Sequence, residues 1–137
     1  MKYTIAEALL MLDSYKLSHH NMYPDSIEYI NSNTTPRGSR LEGVNKVVVF
    51  GPQYFIKEYL IKCWNESFFS QNIDEIIAEY HRVCDTHVGP DKNIDDKLRY
   101  LHSLRYLPLR IKTLPEGIEC PLRVPLMTIE NTDPKRA

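Results

Sequence analysis

The stretch from Asn72 to Gly89 constrains this chain more than any other. Asn72 and Glu75 have the spacing of a capping pair, and Ile73, Ile76, Ile77, Tyr80 and Cys84 recur on one face at the period of an α-helix. Gly89-Pro90 ends the pattern. A helix that is apolar along one face must cover that face with other parts of the chain. The covering elements can be sought on either side of it.

Upstream, Thr4 and Glu7 form a second capping pattern, and Ile5, Ala8, Leu9 and Leu12 predict a short amphipathic helix that delivers Asp13-Ser14-Tyr15-Lys16. The helical run reaches about Tyr23, and Pro24-Asp25 turns the chain into the β-leaning Ile27-Glu28-Tyr29-Ile30. A loop from Thr34 to Gly43 follows. Val47-Val48-Val49-Phe50 has strand propensity up to Gly51-Pro52, after which Phe55, Ile56, Tyr59, Leu60 and Cys63 are spaced for a helix. Downstream, Ile94, Leu98 and Leu101 predict a helix in a charged segment, ending near Tyr106 ahead of Pro108. Leu109 to Thr113, Ile118 to Cys120 and Leu126 to Glu130 are then short strand-like runs parted by Pro115-Glu116-Gly117 and Pro121 to Pro125. The expected class is α+β: helices followed by a small, mostly antiparallel sheet, completed by a strand from Ile27 to Asn33. A sheet that ends near Thr132 would leave an open edge for another chain.

A chain of 137 residues is one domain by size, so residues 1–137 are expected to form a single domain. Seventeen Lys and Arg against eighteen Asp and Glu, interspersed, give no basis for a nucleic-acid or acidic-membrane partner. Cys63, Cys84 and Cys120 are odd in number and widely spaced, which fits reduced thiols and a cytoplasmic location. The apolar patch before Asp13 is interrupted by Glu7, unlike a signal peptide, and no stretch is apolar enough to span a bilayer. His81, Cys84 and His87 drift around a helix and lack a fourth ligand, so no metal site is expected. Glu116 reads as a turn residue, and His20 as a surface one.

Five runs occur in a telling order: Asp13-Ser14-Tyr15-Lys16 with His19, Pro36-Arg37-Gly38-Ser39-Arg40, Phe50-Gly51-Pro52-Gln53-Tyr54, Leu107-Pro108-Leu109-Arg110-Ile111-Lys112 with Pro115-Glu116-Gly117, and Glu130-Asn131-Thr132-Asp133-Pro134. As an ordered set they resemble the first part of nicotinamide phosphoribosyltransferase. The resemblance implies the amino-terminal part of a type II phosphoribosyltransferase without its α/β barrel, which in the family follows the last of these runs. It implies the joining of nicotinamide to phosphoribosyl pyrophosphate, giving nicotinamide mononucleotide and diphosphate, in NAD salvage. With the barrel absent, no catalytic residue is expected in this chain, nor a cofactor of its own. Magnesium, and ATP as an optional coupling nucleotide, belong to the complete enzyme.

Four substrate-binding residues are implied. By spacing alone Tyr15 would be a buried aromatic, but the family's matching tyrosine reaches across a dimer interface to stack on nicotinamide in the neighbouring subunit. Asp13 would lie near the same pocket, although a short acid also suits a helix end. Arg37, in a glycine-containing loop, matches an arginine that holds the diphosphate from the partner side, and Arg40 is the weaker companion; both would also suit a solvated turn. His19 is expected to orient Tyr15 or pack beneath it.

Three classes of function fit these residues. The chain is a segment of a nicotinamide phosphoribosyltransferase that needs a barrel-containing chain, or it is a non-catalytic module that docks on an intact homologue, or it is a remnant with exposed apolar surface. Within the enzyme class, the related nicotinate phosphoribosyltransferase is the alternative. Nicotinamide and phosphoribosyl pyrophosphate would meet the chain at a shared interface.

Overall fold

The computed structural model describes residues 2–24, 26–91 and 93–133. In chain order its elements are α1 (Glu7–Leu10), a 3₁₀ helix (Ser14–Asn21), β1 (Asn31–Thr34), β2 (Lys46–Val48) and α2 (Pro52–Phe55). Two π-helical stretches (Ile56–Cys63 and Asn65–Phe69), α3 (Ile73–Val88), α4 (Ile94–Leu104), β3 (Leu109–Thr113), β4 (Glu119–Pro121) and β5 (Met127–Asn131) complete them. Helices with small antiparallel sheets make this an α+β fold, as the sequence predicts. The elements divide between two compact units, Met1–Ser26 with Ile56–Leu107 and Ile27–Phe55 with Pro108–Ala137. Pro134, which closes the last of the five runs, and Asp25 lie outside the described residues.

The first unit is built on the apolar face of α3. Asn72 caps that helix through its side-chain oxygen, which accepts from the N–H groups of Asp74 and Glu75, and Ile76, Ile77, Tyr80 and Cys84 are buried. They pack with Ala6, Leu9, Phe68, Phe69, Ile94 and Leu98 in one cluster. Helix α4 adds a row of polar ties along the same seam. His81 Nδ1 and Nε2 lie 3.0 and 2.8 Å from the carboxylates of Asp85 and Asp95, Arg99 donates to Asp74 at 2.6 Å, and His102 donates to the Gln71 carbonyl at 3.0 Å.

Two local differences from the expected helices meet at Ser67. The first helix starts at Glu7 because the buried Ala6 is left-handed, at φ 57°, with its N–H donated to the Ser67 carbonyl at 2.9 Å. Ser67 is fully buried; its hydroxyl accepts from the Ala8 N–H at 3.1 Å and donates to the Cys63 carbonyl at 2.8 Å. A serine hydroxyl that takes the carbonyl four residues back competes with α-helical bonding. The predicted helix through Cys63 forms with wider, π-type winding, and its buried residues fall later, at Cys63, Ser67, Phe68 and Phe69. Phe55, expected on the apolar face, is exposed.

In the second unit, β5 lies between β1 and β3, and β2 pairs with β4, all antiparallel. The last strand is therefore central, and the open edges belong to β1 and β3, contrary to the expectation of an edge near Thr132. The first strand also begins later than predicted. The Asn131 side chain accepts from the Ile30 N–H at 2.7 Å and donates to the Glu28 carbonyl at 2.8 Å, so a side chain takes the place of a strand partner. Gly117, at φ 89°, makes the turn that returns its N–H to the Val49 carbonyl at 2.8 Å. Glu116 in that turn is a local cap, accepting from the Gln53 N–H at 2.8 Å.

Two stability measurements test this account. Replacing Asn72 by Ala should cost about 1 kcal/mol, the usual loss for an unpaired helix start, and should raise amide exchange in the first turn of α3. The pH dependence should turn near 6.5. His81, held between Asp85 and Asp95, has its pKa raised from 6.5, so its contribution is complete below that value and fades as pH rises through the folded pKa. His20 has its pKa lowered by burial and by Lys97, so the fold is penalised as pH falls below 6.5. Denaturation midpoints should peak between the two limbs, and His81→Gln should flatten the alkaline limb alone.

Candidate functional site

The Asp13-Ser14-Tyr15-Lys16 run opens the 3₁₀ helix of the first unit. Asp13 has extended backbone at its start, and its carbonyl accepts from the Lys16 N–H at 2.9 Å. The Asp13 carboxylate lies 3.4 Å from Lys16 Nζ in an exposed contact. Salt and water leave such a pair little net energy, so the carboxylate is available to other donors.

Tyr15 is 59% exposed, which excludes the buried-aromatic reading that its spacing favours. The His19 ring is 5.5 Å away, tilted by 58°, and Lys16 Nζ is 5.9 Å from the phenol centroid. The expected role of His19 as a support for this ring agrees with that contact. One face and edge of Tyr15 are thus partnered from its own helix, and the remainder is open to a flat ligand.

What steadies this exposed ring is the other side of the short helix. Leu17 packs on the apolar cluster, and His20, expected on the surface, is mostly covered instead. Lys97 of α4 donates to His20 Nδ1 at 2.9 Å and to its carbonyl at 3.2 Å. That leaves the imidazole proton on Nε2, 2.7 Å from Asp91 Oδ2 but off the line of a hydrogen bond. Asn21 donates to the same Asp91 oxygen at 2.9 Å, and the Asn93 N–H to the other at 2.9 Å. Desolvation is the first cause that lowers the pKa of His20, followed by the nearby Lys97 charge, with Asp91 opposing both. The sequence holds no local signal for this network, because Asp91 and Lys97 lie far along the chain. Beside it, Leu17, Ser18, Asn21, Tyr80 and the 88–91 turn line an open cleft of about 280 Å³.

Arg37 and Arg40 belong to the second unit, in the loop between β1 and β2, and both are exposed. The Ser39 hydroxyl accepts from the Leu41 N–H at 2.9 Å, which sets a tight bend at Arg40. Neither guanidinium has a carboxylate partner among the described residues. The Pro36 carbonyl accepts from the N–H of Arg123 at 2.7 Å, so a third arginine, not singled out by any motif, borders the loop. Its sequence signal is faint: a lone cation bracketed by Pro121 and Pro125. The structure places Tyr15 with Asp13 in one unit and Arg37 with Arg40 in the other.

His81, Cys84 and His87 are each engaged elsewhere. The first bridges two aspartates, the second is buried, and His87 Nδ1 meets the Val83 carbonyl at 3.0 Å. Among the described residues no helix is long and apolar enough to cross a membrane.

Comparison with known proteins gives a concordant result. A family model described as nicotinamide phosphoribosyltransferase, N-terminal domain, matches residues 7–100. The chain is 43% identical over 126 residues to a nicotinamide phosphoribosyltransferase of Acinetobacter baylyi, covering 88% of this chain and 25% of that protein. It is 32% identical over 132 residues to a nicotinamide phosphoribosyltransferase of Xanthomonas campestris pv. campestris, covering 93% of this chain and 25% of the relative. The chain therefore spans about a quarter of the length of the curated relatives it matches. With the family model matched over most of its length, the chain belongs to the nicotinamide phosphoribosyltransferase family and carries that family's N-terminal domain.

Proposed function

We propose that this domain positions substrates for the formation of nicotinamide mononucleotide from nicotinamide and phosphoribosyl pyrophosphate, with diphosphate released. The observation that carries the reading is the exposed Tyr15 ring on a helix anchored from beneath by Leu17 and His20. A ring so held can stack on a flat heteroaromatic amide without first ordering itself. Asp13 would accept a hydrogen bond from the amide or order a water, and Arg37, helped by Arg40, would bind diphosphate oxygens. Both relatives bear the amide enzyme's name, which favours nicotinamide over nicotinate as the ring.

In the reaction the pyridine nitrogen attacks the anomeric carbon of the ribose as the bond to diphosphate breaks. Stacking and phosphate binding align these partners and confine the leaving group, and neither moves a proton. The chemistry would be completed by a barrel supplied by another chain or by a full-length homologue in a dimer, so this chain alone is expected to bind rather than turn over. Magnesium would accompany the diphosphate. Among the described residues no three carboxylate, imidazole or thiolate groups are arranged to hold a metal, so no step is assigned to it here. The free, buried Cys63, Cys84 and Cys120 fit the cytoplasmic location proposed for the reaction, whose setting would be NAD salvage.

The test is formation of nicotinamide mononucleotide by the chain alone and by the chain mixed with a separately expressed barrel fragment of a relative. Product only in the mixture is expected. In that mixture Tyr15→Ala should raise the KM for nicotinamide by about tenfold, the scale of one aromatic stacking contact, while Tyr15→Phe should stay near the parent. Equal KM values for the parent and Tyr15→Ala would sink the assignment of the ring-binding role.

A further inference from the structure

Arg123 is the one non-glycine residue of the second unit with a positive φ, 67°, among the described residues. A β-carbon crowds the backbone in that conformation, so glycine or asparagine usually fills it. Here a long cation stands instead, exposed and without a carboxylate partner among the described residues. Among the described residues its one hydrogen bond is made by its backbone N–H, so the guanidinium is not what holds the turn.

That bond fixes its location. The Arg123 N–H donates to the Pro36 carbonyl at 2.7 Å, the residue next to Arg37. On either side of it, the Leu122 N–H donates to the Asn45 carbonyl and the Leu126 N–H to the Thr34 carbonyl, each at 2.9 Å. The turn is thereby joined to both ends of the arginine loop. Loop and turn together carry Arg37, Arg40 and Arg123 against a single carboxylate, Glu42. The backbone N–H groups of Arg37, Gly38 and Arg40 have no acceptor among the described residues, and a β-carbon built on Gly38 would meet nothing within 4 Å. Unpaired cations on adjoining strands of backbone repel one another, and a multiply charged anion between them removes that repulsion.

We propose that Arg123 and Arg37 form one anion-binding surface that takes a diphosphate group, with Arg123 supplying the second guanidinium from the facing turn. The inference rests on the diphosphate role given to Arg37 above and extends it to a residue outside the recognised motifs. Each planar fork binds two oxygens, and a diphosphate has enough terminal oxygens for both. The exposed N–H groups at Gly38 provide further donors on the same face.

The experiment is calorimetric titration of inorganic diphosphate into the 137-residue chain and into Arg37→Ala, Arg123→Gly and Arg123→Asn. Glycine and asparagine suit the left-handed backbone, so both Arg123 variants should melt no lower than the parent. Binding weakened about tenfold in both, the scale of one charge-assisted hydrogen bond, together with a similar loss in Arg37→Ala, is the expected result. Loss in Arg37→Ala with unchanged binding in both Arg123 variants would overturn this inference and leave the Arg37 reading standing. Loss only in the Arg123 variants would separate the two arginines and overturn the shared surface. No binding by the parent chain would overturn both.

Discussion

The apolar face of α3 is the constraint on which the first unit depends. Helix α1 and the 3₁₀ helix span Glu7–Leu10 and Ser14–Asn21, too short to persist in water on their own. They exist because Ala6, Leu9 and Leu17 find cover against Phe68, Ile77 and their neighbours. The buried hydroxyl of Ser67 adds direction to this burial. By receiving from one segment and donating to another it fixes where α1 meets the π-helical turn, and an unsatisfied hydroxyl there would be costly. Exposure of Tyr15 is a consequence: the helix spends its apolar residue and its covered histidine on anchoring, and the tyrosine is left facing water.

The second unit solves a different problem with β5. One strand serves both neighbours, pairing with β3 along its whole length and with β1 over all but its last residue, which goes on to bond the Glu28–Ile30 segment through its side chain. The chain entering and leaving this strand is held as well, which is why the long segment between β1 and β2 does not wander. Bonds at Thr34, Pro36 and Asn45 clamp it against the turn that precedes β5. A loop restrained at both ends and free in the middle is a sound frame for arginines, because little backbone order has to be gained when an anion arrives.

Periodicity and capping made most of this architecture legible. The α3 face, its Asn72 cap and its Gly89 stop are local signals, and the strand at Leu109–Thr113 is bounded by proline and turn residues that act locally too. What escaped was set by long-range partners. Asn131 takes the place of a strand partner at Glu28–Ile30 from a hundred residues away, and Ser67 fixes the start of the first helix from across the chain. The candidate site divides in the same way. Tyr15, Asp13, Arg37 and Arg40 were found from motifs, while the covered state of His20 depends on Asp91 and Lys97, and the place of Arg123 depends on a strand pairing that no local pattern announces.

The two groups of candidate residues also differ in what they lack. The proposed ring platform has an aromatic support, a carboxylate and the single cation of Lys16 but, among the described residues, no cluster of cations for a phosphate, and the arginine loop has cations but no aromatic face of its own motif. On the proposed reading, each would hold one half of a reaction between a ring nitrogen and a sugar phosphate. A group that binds both the ground state and the transition state lowers the concentration of substrate needed, and acceleration requires something further that responds to charge building at the anomeric carbon. An aromatic face responds to the positive charge that the ring nitrogen gains as it bonds to carbon, and guanidinium groups respond to the negative charge that accumulates on the diphosphate as the other bond breaks. On the proposed reading, the arginine surface would therefore contribute to rate through the leaving group, and the tyrosine through the orientation of the ring and the charge that the ring gains.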